Sequence, residues 1–514
     1  MPAGMPHDDR RPLCPHLRLA AGMALWVLML ASGGCGEGGT APSVPPAKPA
    51  IRGVIEGFYG PLYSFEARLD LLRFLPRAGL NTYLYAPKLD PYHRGRWREP
   101  YPAEWRDHFA ALVSTAGPLG VRFVFGLSPG SGFDAAGTDQ ATLEQKLGSL
   151  FDVGVRDFCL LFDDLDSSSQ AADPQVQVRM VTQTLAFLHG RDPLTRLWFI
   201  SHYYAGTAAE IRAGHSPFDR SFGIPSPVAY AAYAALPPEV AIMWTGPRVF
   251  ASPLTVEDTA AFRALVGRSL VIWDNYPVND GALTQELFLA PYREREAGIV
   301  QAADGVLLNP MLQPEASKIA LWTAGRFFAD SEAYDPDGAL REALVEVAGS
   351  ARGAAVLAQL AEQFRSHPLI GNENESPALA ARAATFFATR TPESEAALRD
   401  LLQSFTTVAD DLEHEVSNTA LVVELRAPAH KLSLFGQAGL IELDLLDQSA
   451  RGESIDTSPL EAVLRDARAV PWLVGANTVI LPGLDIFLAG RPAVPADVFG
   501  DFFAQLSAQL DSSR

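Results

Sequence analysis

The stretch "CLLFDDLD", residues 159–166, decides how the chain is read. Four apolar residues, Cys159 to Phe162, run directly into Asp163 and Asp164. A short apolar run bounded in this way is a buried strand. Adjacent carboxylates at its end repel each other and lose hydration, so keeping them there needs a reason.

Comparable runs lie on both sides of it. They are "IRGVIEGF" (51–58), "NTYLYA" (81–86), "VRFVFGLS" (121–128), "FCLLFDD" (158–164), "RLWFISHY" (196–203), "VAIMWTG" (240–246), "SLVIWDN" (269–275) and "GVLLNPM" (305–311). Between them lie segments of helical period, such as "SFEARLDLLRFLPRAG" and "AEWRDHFAALVSTAGPLG". Near-continuous apolar strands fit a parallel sheet covered on both faces. Eight strand–helix units over about 270 residues match the size and count of a (β/α)8 barrel. An open doubly wound sheet is the competing arrangement, but it seldom runs to so many units. The runs end in "EGFYG", "APK", "SPG", "DDLD", "HYYAGT", "WTGP", "WDN" and "NP". Polar and aromatic residues thus gather at the carboxyl ends, where a barrel carries its active site. Asp163 and Asp164 are expected at the fourth strand's mouth, facing Lys88, Tyr204, Trp273, Asn275, Asp280 and Asn309 from other strands.

Beyond the eighth run the rhythm changes. "PEASKIALWTAGRFFAD", "DGALREALVEVAG", "AAVLAQLAEQF", "PALAARAATFFATR" and "ESEAALRDLLQSFTTVADDLEHE" have amphipathic helical patterns punctuated by Pro and Gly. The expected fold class is α/β: a (β/α)8 barrel over residues 51–334, followed by an all-α helical domain over residues 335–514. That second region includes a mixed tail (472–495) and a closing helix (496–510).

The start of the chain reads differently. Arg10, Arg11 and Arg18 precede the apolar run "LAAGMALWVLMLA" (19–31), and small residues lead to Cys35. Residues 1–35 read as an export signal, with an apolar run too short for a typical transmembrane helix. Cys35 stands where a bacterial lipoprotein signal places its acylated cysteine, although Ser32 departs from the usual Leu. "GEGGTAPSVPPAKPA" (36–50) is a flexible linker by composition. The expected location is the bacterial cell envelope, lipid-anchored through Cys35, with secretion or the periplasm as the alternative.

The formal net charge of −19 argues against a nucleic-acid partner. Membrane contact is expected only through the lipid anchor. The three cysteines, Cys14, Cys35 and Cys159, make neither a disulfide framework nor a zinc spacing. There is no HExxH pattern and no phosphate-binding glycine loop, so neither a metal nor an organic cofactor is expected.

Like charges a few ångströms apart do not both ionise easily. A carboxylic acid still protonated near neutrality can protonate a leaving group, while its ionised neighbour stabilises positive charge. That pairing suits glycoside cleavage and also suits a divalent cation. The surroundings favour sugar. Tyr59, Tyr204, Trp244 and Trp273 offer platforms for a pyranose ring, and Asn275, Asp280 and Asn309 offer directional bonds to hydroxyls. Other polar residues have plainer readings. Ser128 in "GLSPG" is followed by Pro129, which lacks the N–H that a serine hydrolase's oxyanion hole requires. His93 and Arg94 are read as loop stabilisers in an ion network with Glu99, His202 as packing, Cys159 as a small core residue and Glu56 as structural.

"GVIEGFYG", "LNTYLYAPK", "DPYHRGRWREPYP", "LLFDDLD", "WTGP", "VIWDN" and "LLNP" resemble, in order, the family-84 glycoside hydrolases. These are β-N-acetylglucosaminidases that include O-GlcNAcases and bacterial relatives once called hyaluronidases. The resemblance implies an exo-acting, retaining enzyme that removes terminal β-linked N-acetylglucosamine from glycans or glycoproteins. It also implies substrate-assisted catalysis, in which the sugar's 2-acetamido oxygen attacks the anomeric carbon and forms an oxazoline. Asp163 would orient the acetamido N–H. Asp164 would protonate the leaving oxygen and then activate water. Gly57, Lys88, Asn275, Asp280 and Asn309 match sugar-binding positions, and Tyr204 and Trp273 match the acetamide pocket. The segment "NTALVVELRAPAHKLSLFGQAGL" (418–440) resembles, more loosely, the helical domain that follows the barrel in bacterial members. Leu89, where an acid often follows "YAPK", and the upstream part of "ISHYYAGT" (200–207) depart from the pattern. The alternatives are an endo-acting hyaluronidase-type hydrolase and a catalytically silent glycan-binding lipoprotein.

Overall fold

Each of the eight apolar runs forms a strand: β1 (Ile51–Glu56), β2 (Thr82–Tyr85), β3 (Arg122–Leu127), β4 (Asp157–Leu161), β5 (Arg196–Ile200), β6 (Ala241–Trp244), β7 (Leu270–Asp274) and β8 (Gly305–Leu308). The strands end before the runs do because the last residues of each run have already left the sheet for the rim. The computed structural model describes residues 49–165, 168–213, 226–284, 286–367, 375–470 and 498–512. The export signal, Cys35, the linker up to residue 48 and the mixed tail at 472–495 lie outside the described residues.

Neighbouring strands pair in parallel in chain order, and β8 returns to β1, with Ile51 opposite Gly305 and Val54 opposite Leu308. The closed barrel buries both faces of every strand, which is why the runs are apolar without alternation. The two faces still differ. Ile55, Leu84, Cys159, Leu161, Met243, Val271 and Leu307 cluster inside the barrel. Val54, Tyr83, Phe158, Leu160, Trp244, Ile272 and Val306 belong to the larger core shared with the surrounding helices. Side chains along a strand alternate between faces with period two, so each strand carries one inward and one outward column.

A helical segment follows each strand, from Phe65–Arg77 after β1 to Pro314–Ala329 after β8. Ser64, Asp173 and Thr255 cap three of these helices by accepting from Ala67, Gln175 and Asp258 N–H. Close approach requires glycine where the last helix meets the first unit: a Cβ on Gly325 would lie 1.7 Å from the Ala78 carbonyl oxygen.

After Asp330 the regular elements among the described residues are all helices. Pro336–Ala348, Ala351–Gln363, Pro377–Thr389, Pro392–Thr406 and Val408–Glu415 are followed by the 32-residue helix Thr419–Ala450, then by Ser458–Ala469 and Val498–Ser512. From Pro46 onward the chain forms one compact unit. The long helix is tied to the barrel's last helix by Glu424, whose carboxylate accepts from the Glu315 and Ala316 N–H groups at 3.1 and 2.8 Å. Those amides sit at a helix N-terminus, where negative charge is favoured. Among the described residues no helix is long and apolar enough to cross a membrane.

Glu56 sits in the outward column of β1 and is wholly buried. Its carboxylate takes Arg68 Nε and Nη2 at 2.9 and 2.7 Å and the Tyr83 hydroxyl as well. It holds the first helix to the barrel wall and does not face the lumen. Removing one charge of a buried pair leaves the other uncompensated, at a cost of about 3–5 kcal/mol. Glu56→Gln is therefore expected to lower the urea unfolding midpoint markedly; an unchanged midpoint would show the pair to be dispensable.

Candidate active site

The inward columns continue past the ends of the strands, and there they turn polar. On β4 the series Cys159, Leu161 leads to Asp163. On β2, Leu84 and Ala86 lead to Lys88. On β7, Val271 and Trp273 lead to Asn275, and on β8 Leu307 leads to Asn309. The same step of two leads from Ile55 to Gly57 and from Met243 to Thr245. These ends enclose a cavity of about 200 Å³. It is lined by all nine residues singled out from the sequence: Gly57, Lys88, Asp163, Asp164, Tyr204, Trp273, Asn275, Asp280 and Asn309.

Alternation alone would turn Asp164 away from the lumen. The backbone prevents that, because Asp164 has φ +51°, in the left-handed region. Asp tolerates this region better than most residues. The turn brings two consecutive carboxylates to one cavity.

The aspartates are not a bare pair, because each has its own donors. Lys88 Nζ pairs with Asp163 Oδ2, both side chains being buried. The same ammonium lies 5.0 Å from the centre of the Trp273 ring. Asp164 Oδ1 accepts the Tyr204 hydroxyl, and its Oδ2 accepts the Tyr59 hydroxyl at 2.9 Å. Burial, and then the charge of Asp164, pushes both tyrosine hydroxyls above their ordinary value, so they stay protonated donors. Among the described residues, Asp163 Oδ1 is buried without a hydrogen-bond partner, and so is Trp273 Nε1.

The opposite wall is a chain of amides. Gly57 N–H donates to Asn309 Oδ1 at 3.1 Å, Asn309 Nδ2 to Asn275 Oδ1 at 3.0 Å, and Asn275 Nδ2 to the Val249 carbonyl at 2.8 Å. Part of the bonding capacity expected for sugar hydroxyls is thus spent on orientation, although each amide keeps a lone pair and a proton. Gly57 is needed for space: a Cβ there would lie 2.4 Å from Trp273 Cζ2. Asp280 accepts the Tyr59 N–H at 2.7 Å. Burial, and then the negative charge of Asp164, pushes its carboxyl up to about 6, against the opposing Tyr59 hydrogen bond.

Two readings are corrected. Trp244 is not a rim platform. It lies in the outward column of β6, stacks on Phe262 at 4.5 Å and donates from Nε1 to the Gly206 carbonyl. Arg94 does not pair with Glu99. Arg96 does so, from Nε at 2.8 Å, while Arg94 reaches Tyr59 and Asp164. His93 is buried with Nδ1 3.0 Å from the Gly126 carbonyl, and His202 packs edge-on to Tyr203. Cys159 is buried inside the barrel. Among the described residues no three of His, Cys, Asp and Glu converge as metal ligands.

Thr245, Val249, Phe250 and Val278 also line the cavity and were not read from the sequence. Thr245 was legible, since it follows Ala241 and Met243 in the inward column. The others sit on loops with no periodic signal.

The profile of the beta-N-acetylglucosaminidase family matches residues 52–362. Over 303 residues the chain is 34% identical to the protein O-GlcNAcases of Mus musculus and Rattus norvegicus. These matches cover 57% of this chain and 32% of each relative, so the chain spans about a third of the length of the curated relatives it matches. An O-GlcNAc hydrolase mutant from Thermobaculum terrenum superposes with a TM-score of 0.73 at 25% identity, covering 90% of this chain and 96% of that one.

The raised Asp280 carboxyl has a consequence for stability. The folded state binds this proton more tightly than the unfolded state does, so the group's contribution is complete at low pH and is lost as pH rises through about 6. Asn mimics the neutral form. The melting temperature of Asp280→Asn relative to wild type should therefore rise between pH 4 and pH 7; a constant difference would contradict the assignment. Gly57→Ala should drive the Trp273 indole from its seat, which an increase in indole quenching by acrylamide would report.

Proposed function

The chain belongs to the β-N-acetylglucosaminidase family, and from that premise we propose that it is an exo-acting, retaining β-N-acetylglucosaminidase. Its substrate is a terminal β-linked N-acetylglucosamine on a glycan or glycoprotein. The observation that carries the reading is the buried, unpartnered Oδ1 of Asp163. Leaving such an acceptor unsatisfied costs about 1–3 kcal/mol, and an amide N–H would satisfy it. Trp273 Nε1, a buried donor with no partner among the described residues and a lining residue of the same cavity, suits the other half of an amide's bonding pattern.

The chemistry follows from that placement. With Oδ2 held by Lys88, Asp163 takes the acetamido N–H on Oδ1 and raises the electron density of the amide oxygen. That oxygen forms a bond to the anomeric carbon as the bond to the leaving oxygen breaks. Asp164 transfers its proton to the leaving oxygen in the same step. In the second half, the Asp164 carboxylate removes a proton from water as the water attacks the anomeric carbon, and the oxazoline reopens to the acetamide. The substrate supplies the nucleophile, so two adjacent carboxylates suffice, unlike the pair on opposite faces of the ring in the common scheme. A cavity of about 200 Å³ suits one terminal sugar, and nothing in it favours the endo-acting or the silent-binder alternative. The basic, apolar and small-residue pattern before Cys35 supports an exported, lipid-anchored location for the enzyme.

The test compares wild type, Asp163→Asn and Asp164→Asn on aryl N-acetyl-β-glucosaminides of good and poor leaving groups. Asp164→Asn should lose about 10²–10⁴ in kcat/KM on the poor leaving group and far less on the good one. Asp163→Asn should lose activity on both. Turnover absent in wild type, or equal losses for the two leaving groups in Asp164→Asn, would sink the assignment.

A further inference from the structure

Arg94 lies on the loop between β2 and the helix Ala103–Ala116, 70 residues from Asp164, yet both ends of its guanidinium finish on that aspartate's surroundings. Nη2 donates to the Asp164 carbonyl oxygen at 2.5 Å. Nη1 donates to the Tyr59 hydroxyl at 2.5 Å, and that hydroxyl in turn donates to Asp164 Oδ2. The guanidinium also lies 5.6 Å from the centre of the Tyr59 ring. One planar fork thus holds the peptide oxygen of the residue at φ +51° and the donor that orients its carboxylate.

The loop that carries Arg94 is built to stay still. Lys146, buried on the helix Asp139–Asp152, donates to the carbonyls of Tyr92, Trp97 and Glu99 at 2.5, 2.8 and 2.7 Å. These acceptors bracket Arg94 on both sides. Asp90, wholly buried, takes the Tyr92 N–H and the hydroxyls of Tyr85 and Tyr101. Ser128 N–H donates to the His93 carbonyl, and His93 Nδ1 meets the Gly126 carbonyl, so the loop is also fixed to the end of β3. A surface arginine whose only task is solubility needs none of this support.

We infer that Arg94 is a positioning residue for proton transfer: by joining the Asp164 peptide to the Tyr59 hydroxyl, it fixes the line along which Asp164 delivers its proton to the leaving oxygen. The role rests on the reaction proposed above. A left-handed non-glycine residue costs about 1–3 kcal/mol and persists only where its surroundings hold it. Without the fork the turn can relax, moving the carboxyl by a fraction of an ångström. Such a displacement penalises the step that needs the proton and spares a leaving group that departs without one. Lys cannot replace the fork, because one ammonium offers a point charge and no planar pair of donors.

The experiment measures kcat/KM of wild type, Arg94→Met and Arg94→Lys along a series of aryl N-acetyl-β-glucosaminides of increasing phenol pKa, beside a thermal melt of each. In both variants the loss should grow along the series, toward about 100-fold for the poorest leaving group and only a few-fold for the best. A loss equal across the series, or none, overturns the positioning role while wild-type turnover leaves the proposed reaction standing. If wild type itself turns over no substrate, the reaction and the role fall together. Should Arg94→Met not fold, Arg94→Lys gives the same slope comparison and decides by the same outcomes.

Discussion

The alternation of side chains along eight short parallel strands is the constraint on which the rest of this molecule depends. Closure of the barrel gives each strand an inside and an outside. The period of two then assigns every residue to one of them, up to and slightly beyond the last ladder hydrogen bond. Glu56 and Gly57 are neighbours, but the first lies outside, bound to Arg68, and the second inside, under Trp273. Asp274 and Asn275 divide in the same way. Asp274 is held by Arg295 and Tyr292 behind the barrel wall, while Asn275 lines the cavity. Charged residues at strand ends therefore serve two tasks, and parity separates wall from site.

Asp163 and Asp164 are the exception to that division, and the exception is what makes the site. Two carboxylates on one side of a strand end would face each other at short range, where unit charges interact by about 4 kcal/mol even at an effective dielectric constant of 20. The structure answers the repulsion with a cation on one and hydroxyl donors on the other. Lys88 meets Asp163 from β2, and Tyr59 and Tyr204 meet Asp164 from the ends of β1 and β5. The donors come from different strands, so the local charge problem is solved by barrel closure and not by sequence neighbours. The left-handed turn at Asp164 is then sustained by groups that reach it only in the closed fold.

Much of this was legible in the sequence, for a physical reason. Eight apolar runs are long enough to show their boundaries, and the polar residues that end them must be at the rim of whatever sheet the runs form. Most of the nine site residues are that rim, while Gly57 was named only by the family resemblance and Asp280 lies on the loop beyond β7; all nine line the cavity. Trp244 was misread because aromatic character was weighed and parity was not; one residue further, Thr245 has the inward position. Arg94 was assigned to Glu99 because both stand in the same short charged segment of sequence. Its actual acceptors lie on other strand ends, and no local pattern encodes a contact across 70 residues. The amide chain through Asn309 and Asn275 was hidden for the same reason, since each bond in it joins a different pair of chain segments.

That amide chain bears on how the cavity can recognise a sugar. Gly57, Asn309, Asn275 and Val249 lie just beyond the ends of β1, β8, β7 and β6, which are neighbours around the barrel, so the hydrogen bonds run along the rim from one strand end to the next. On the other side, Lys88, Asp163, Asp164, Tyr59 and Tyr204 form a second belt, which approaches the first where the Lys88 ammonium lies over the Trp273 ring. Every polar side chain in either belt is already restrained before a ligand arrives. Ordering a free side chain on binding costs about 0.5–1.5 kcal/mol, and here that cost is met during folding. The lone pairs and protons left over are few and point in set directions, so a ligand is selected by the positions of its own hydroxyls and amide. The barrel's rigidity is then part of the recognition itself, since a mouth that could re-form its belts around a different sugar would lose the distinction.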